Sequence, residues 1–167
     1  MSPRSQHSIR RAKLEESALL SDLALRSKGS WGYPREMLES MRQELTYSPE
    51  VLEEHPAFVV EMDGKVAGFY TLEPIAAGES RADDGVELGA LFIEPHRQRS
   101  GLGRLLLEHA AAEARRLGYA VLVIQGDPNA GDFYQRMGAI PAGTRPSGSI
   151  PGRELPMFHL DLESSEA

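Results

Sequence analysis

Cysteine is absent from the 167 residues, which removes disulfide pairing, thiolate metal ligation and a cysteine nucleophile. Long apolar runs are missing too: no window approaches the roughly 18 residues that a membrane-spanning helix needs. The opening stretch MSPRSQHSIRRAKLEE also lacks the apolar segment of a secretory signal. The expectation is a soluble, unexported, cytoplasmic protein with no membrane partner. Positive charge is in short supply, with 18 Lys and Arg against 25 Asp and Glu and a net charge of −7. A general nucleic-acid binder needs a basic face to displace counterions from phosphates, so no nucleic-acid partner is expected. His55, His96, His109 and His159 show no metal-ligand spacing and fall in a loop, a turn, a helix and a strand, so no metal site is expected.

What remains suits one domain with a sizeable core over residues 1–167, with 1–7 and 163–167 loose; 41% of the residues are hydrophobic. The stretch SIRRA reads as a first strand. In LEESALLSDLALRSK, Leu19, Leu20, Leu23 and Ala24 recur at helical spacing, and the helix ends near Gly29. Pro34 suits the first position of a second helix in which Met37, Leu38, Met41 and Leu45 share a face. Ser48 and Pro49 form a cap and first residue for a third, short helix.

From Ala57 the pattern turns to strands. AFVVEM and KVAGFYTLEP flank Asp63-Gly64, a strong hairpin signal. A polar loop leads to VELGALFIEP, closed by Pro95. Next comes a helix from Leu102 with Leu105, Leu106, Ala110, Ala114 and Leu117 on its apolar positions, stopped by Gly118. AVLVIQG reads as a strand buried on both faces, NAGDFYQRMG as a short helix, and the tail as two further strands around a Pro/Gly/Ser loop. A strand–helix–strand unit inside an antiparallel meander implies an α/β (α+β) fold with a mixed sheet and helices on both faces.

The segment Arg97 to Arg104 leaves a strand and enters a helix. Backbone N–H groups from Arg99 to Gly103 are therefore expected to lack partners and to point at one anion at the positive end of the helix dipole. Gly101 and Gly103 lack the Cβ atoms that would keep a phosphate from the backbone. Charge-assisted contacts would come from Arg97, Arg99 and Arg104 at the rim, Arg99 being the best placed. A Walker A loop would end in Gly-Lys-Ser/Thr, which does not occur, and a dinucleotide fingerprint would need a small residue where Leu106 stands.

Gln98-Arg99-Ser100-Gly101-Leu102-Gly103 resembles the Arg/Gln-x-x-Gly-x-Gly/Ala motif of the GCN5-related N-acetyltransferase (GNAT) superfamily, and SKGSWGYP with the hairpin tail resembles uncharacterised bacterial members. VELGALFIEP before the motif and VLVIQGDPNAGDFYQRMGA after it take the places of the family's fourth strand, fifth strand and following helix, so the resemblance covers about residues 57–140. It implies a mostly antiparallel sheet of six to seven strands splayed between the fourth and fifth. It also implies acetyl-CoA as cofactor, with coenzyme A as product, and direct transfer to a primary amine of a small molecule or peptide in a ternary complex.

Carried over position by position, the resemblance places the pyrophosphate on Gln98, Arg99, Ser100, Gly101, Leu102, Gly103 and Arg104, and the pantetheine arm on backbone groups of Leu91, Phe92 and Ile93. Asn129, Phe133 and Tyr134 join the cofactor site. Tyr134 stands where a general acid would protonate the departing thiolate; as residues alone, Phe133 and Tyr134 also read as core aromatics. Glu87 stands where a general base would sit, or is a strand-end carboxylate paired with an arginine, and Glu73 is the reserve base. Trp31 and Tyr33 lie between the first two helices, where the acceptor approaches, either as an aromatic wall or as packing. Glu79, Asp83 and Asp84 favour a cationic acceptor. The protein would act as a monomer or homodimer. A non-catalytic acyl-CoA-binding module would keep the loop without turnover, and another anion binder, such as a nucleotide-binding protein, would prefer ATP or a dinucleotide.

Overall fold

The computed structural model describes residues 7–162; the ends expected to be loose, 1–6 and 163–167, lie outside the described residues. His7, the remaining residue of that expectation, is the first of β1 and sits opposite Met62. Seven strands, β1 (His7–Arg11), β2 (Ala57–Met62), β3 (Lys65–Pro74), β4 (Gly85–Ile93), β5 (Val121–Gln125), β6 (Ile140–Pro146) and β7 (Glu154–Asp161), form a mixed sheet in the order β1-β2-β3-β4-β5-β7-β6. Among the described residues the α-helices are α1 (Ser17–Gly29), α2 (Arg35–Met41), α3 (Pro49–Glu54), α4 (Leu102–Arg116) and α5 (Gly131–Arg136). None is long and apolar enough to cross a membrane. The chain groups into two compact units, residues 7–71 with 90–107 and residues 72–89 with 108–162.

In the first unit the turn chemistry decides the register. Asp63 and Gly64 both have positive φ, 52° and 83°, the backbone a two-residue hairpin turn requires, and they place Met62 opposite Lys65. Ser48 caps α3 by accepting from the Val51 N–H at 3.3 Å, with Pro49 at the first helical position. Pro34 differs from expectation: it is the extended residue before α2, which begins at Arg35 and ends at Met41. Leu45 is nonetheless buried, because a further turn carries it there, its N–H bonded to the Met41 carbonyl. On α1 the buried stripe is Leu20, Leu23, Ala24 and Ser27, while Leu19 is exposed. That stripe keeps the i, i+3, i+4, i+7 rule, but its last place is taken by a serine, which an apolar pattern cannot reveal.

The same unit holds a close approach of β3 to β4. A Cβ on Gly68 would come within 2.7 Å of Ile93 Cδ1 and 2.8 Å of the Phe92 carbonyl oxygen. One flexible methyl can move, but a backbone oxygen in a sheet cannot, so glycine is required here.

In the second unit β4 and β5 run parallel, Gly85 opposite Val121 to Leu88 opposite Ile124, where the register stops although β4 itself continues to Ile93. Antiparallel β7 pairs with β5 from Val121↔Asp161 to Gln125↔Met157. Alternation along these strands sorts the side chains. Glu87, Val121, Val123, Gln125 and Met157 share one face, and Val86, Leu88, Leu122, Ile124 and Phe158 the other. Gly118 ends α4 with φ 97°, as a C′ glycine does.

Replacing Gly68 by alanine is expected to cost about 1–3 kcal/mol through forced displacement of β4. The check is the urea midpoint at constant m-value, and a variant with the parental midpoint would contradict the contact.

Candidate functional site

The turn from β4 into α4 lies in the first unit. A single 3-10 turn at Pro95–Arg97 follows β4, then Arg99 takes φ 64° and Gly101 φ 87°. An arginine in left-handed backbone costs about 1–3 kcal/mol, and such strain persists only where the surroundings enforce it. With Arg99 and Gly101 in this conformation, consecutive N–H groups stay outside the internal hydrogen bonds. Those of Arg99, Ser100, Gly101, Leu102 and Gly103 have no acceptor among the described residues. A Cβ built on Gly101 would have nothing within 4 Å, so there is open space at that residue. Local N–H dipoles and the positive end of α4 act in the same direction. The chemistry of these residues fits a bound phosphate.

The side chains of the loop divide by role. Arg99 is exposed and has no ion-pair partner among the described residues. Arg97 faces Asp63 at 3.8 Å, and Ser100 Oγ donates to the Arg97 carbonyl within the loop. Gln98 points elsewhere: its amide nitrogen lies 3.2 Å from Ser30 Oγ, 3.4 Å from Ser27 Oγ and 3.4 Å from the Ile93 carbonyl oxygen. Trp31, 44% exposed, and half-buried Tyr33 follow α1 directly, and Lys28 Nζ stands 5.8 Å from the Tyr33 ring centroid.

Tyr134 lies in the second unit, on α5. It packs against Phe133 at 5.1 Å and Phe158 at 5.7 Å between ring centroids. Gly126 makes room for it: a Cβ there would meet Phe158 at 2.9 Å and Tyr134 at 3.4 Å. Although Tyr134 is buried, its hydroxyl makes no hydrogen bond among the described residues. Burial above all, and then the nearby Asp127 charge, pushes the phenol above its ordinary value, so it keeps its proton even in alkaline solution. Asp127 in turn accepts from the Asn129 backbone and side-chain amides, both at 2.8 Å, and stands 3.7 Å from Arg153. Asn129 is thus oriented by Asp127.

Glu87 also belongs to the second unit, on the sheet face opposite the one Phe158 and Tyr134 occupy. Both its oxygens accept from Arg145, at 3.0 and 3.2 Å, and Arg145 also donates to Gln125 Oε1 at 3.1 Å. Half-buried Arg145 on β6 is the functional candidate that the sequence did not single out. Its reach depends on a register irregularity between Pro141 and Thr144, which no local pattern announces. The acidic loop is partly neutralised as well: Arg81 holds Asp84 through two bonds of 3.0 and 2.7 Å, keeping that carboxyl below its usual range, and Glu79 stands 3.9 Å from Arg145.

The model of the acetyltransferase (GNAT) family matches residues 19–139, and the chain belongs to that family. It is 28% identical over 175 aligned positions to an amino-acid acetyltransferase of Azotobacter vinelandii, an alignment covering 90% of this chain and 38% of that protein. It is 31% identical over 85 positions to an uncharacterised N-acetyltransferase of Lactobacillus delbrueckii subsp. lactis, covering 48% of this chain and 49% of that protein. This chain therefore spans half or less of the length of these curated relatives. The PaiA N-acetyltransferase of Thermoplasma acidophilum, solved in complex with coenzyme A, shares the fold with a TM-score of 0.72 at 22% identity, over 92% of this chain and 98% of that one.

A buried hydroxyl without a partner is a liability of about 1–3 kcal/mol. Tyr134→Phe is therefore expected to leave stability unchanged or raise it by up to about 1 kcal/mol. Chemical denaturation reads this directly, and a loss beyond about 1 kcal/mol would reveal a structural hydrogen bond.

Proposed function

We propose that this chain is an acetyl-CoA-dependent N-acetyltransferase, residues 1–167 forming one such domain, that passes an acetyl group directly to a primary amine of a small molecule or peptide. The observation that supports it best is the row of N–H groups from Arg99 to Gly103 that have no acceptor among the described residues, in the position the family uses for the cofactor pyrophosphate. Acetyl-CoA, when bound, supplies an acyl thioester activated toward amines.

The chain's residues supply the rest. Backbone donors from Arg99 to Gly103 hold phosphate oxygens, and the Arg99 guanidinium adds charge at the rim. Leu91, Phe92 and Ile93, on the stretch of β4 past its register with β5, offer backbone groups to the pantetheine amides in the manner of an added strand. Asn129, oriented by Asp127, contributes a side-chain amide, and Phe133 lines the same arm. The Tyr134 hydroxyl retains its proton until a thiolate requires it. Glu87 accepts the amine proton through water once one of its Arg145 bonds yields, with Glu73 in reserve. Trp31 and Tyr33 flank the acceptor. Unsatisfied burial of the Tyr134 hydroxyl favours an enzyme over a non-catalytic acyl-CoA-binding module, because a binding role alone gives no reason to keep the oxygen.

Free-thiol release from acetyl-CoA across a panel of amino acids, polyamines and peptide N-termini tests the reading. Amine-dependent release is expected, with Tyr134→Phe lowering kcat by about 10²-fold while leaving the KM for acetyl-CoA within a few-fold. An equal loss in kcat and cofactor affinity would reassign Tyr134 to binding. Gly103→Val, which puts a branched side chain beside the N–H row, is expected to weaken coenzyme A binding at least tenfold, about 1.4 kcal/mol. Calorimetric titration of folded variant checks this, and unchanged affinity would remove the phosphate from the loop.

A further inference from the structure

The first unit contains a polar link that neither the loop nor the acceptor side explains by itself. Gln98 stands within the glycine motif, yet its amide turns from the row of N–H donors to the last turn of α1, between Ser30 Oγ at 3.2 Å and Ser27 Oγ at 3.4 Å. Ser27 is buried at 4% exposure and Ser30 Oγ donates to its carbonyl at 2.6 Å, so the two serines form a fixed receiver. A second tie runs beside it: Arg26 Nε and Nη2 donate to both oxygens of Glu94, at 3.1 and 2.6 Å. Glu94 and Gln98 bracket the turn that leads into the N–H row, and Arg26 and Ser30 bracket the end of α1. Trp31 follows at once, its N–H bonded to the Lys28 carbonyl at 3.2 Å.

We propose that Gln98 is a positioning residue that couples the phosphate loop to the Trp31–Tyr33 corner, so that occupying the loop orders the acceptor-side aromatics. This rests on the proposed cofactor. The physical argument is one of shared order. A loop whose N–H groups are satisfied by an anion loses mobility, and rigid polar ties pass that loss to α1, lowering what a second ligand must supply to order the corner. The link also accounts for a polar residue at the end of the buried stripe of α1, where packing alone would favour alanine or leucine.

Trp31 is the only tryptophan in the chain and 44% exposed, so its emission reports on the corner without any acceptor. Coenzyme A is titrated into the full chain, following Trp31 fluorescence and calorimetric heat in parallel, for wild type, Gln98→Ala and the Ser27→Ala/Ser30→Ala pair. The serine changes lie outside the loop and are mild for a helix end. Wild type is expected to show a saturable emission change. In the serine pair the change falls by more than half while affinity moves less than about tenfold, and Gln98→Ala loses the emission change too. A wild-type emission that stays flat while calorimetry shows binding would overturn the coupling and leave the cofactor standing, as would a full response in the serine pair. Absence of calorimetric binding in folded wild type would remove the cofactor reading and the coupling with it.

Discussion

Parallel pairing of β4 with β5 is the constraint from which the candidate site follows. Parallel neighbours cannot be joined by a tight turn and need a crossover, here α4 between Ile93 and Val121. The chain must leave β4, reverse, and start a helix whose first N–H groups have no partner inside it. Residues 99–103 meet that requirement with positive φ at Arg99 and Gly101. The ladder itself ends at Leu88↔Ile124, before β4 does. A fold that closed these hydrogen bonds internally would be more regular and would have nothing to offer an anion.

The second unit makes a similar sacrifice at Tyr134. Its ring is held by Phe133 and Phe158, with Gly126 giving up a side chain to admit it, while the hydroxyl has no hydrogen-bond partner among the described residues. Phenylalanine would fill the same space without a polar atom. On the other sheet face, Arg145 of β6 donates both to Glu87 of β4 and to Gln125 of β5. The two titratable candidates thus have opposite environments: Tyr134 lacks a partner among the described residues and keeps its proton, while Glu87 is engaged through both oxygens.

Much of this was legible because it is local. Asp63-Gly64, Ser48-Pro49, Gly118 and the glycine motif each specify a backbone conformation within a few residues, and the structure places a turn, a cap, a helix end and a donor row there. What was not legible depends on contacts distant in sequence. Arg145 meets Glu87 across 58 positions, and only through an irregular β6 register. Ser27 is buried at a place a hydrophobic pattern assigns to an apolar residue, and Leu19 is exposed although it sits beside the stripe. Gln98 belongs to the motif by sequence, but its side chain answers to α1, a relation a motif cannot contain.

The central claim is that the loop from Gln98 to Arg104 receives coenzyme A rather than another phosphorylated ligand. The most direct measurement is thermal denaturation of the purified chain with coenzyme A, acetyl-CoA, ATP and NADH, each in excess. A ligand at about a hundred times its dissociation constant adds about 2.7 kcal/mol, which in a chain of this size raises Tm by about 5–10 °C. A rise of that order with both coenzyme A species and none with ATP or NADH is the predicted result. An equal or larger rise with ATP or NADH, or no rise with either coenzyme A species in folded protein, would contradict it.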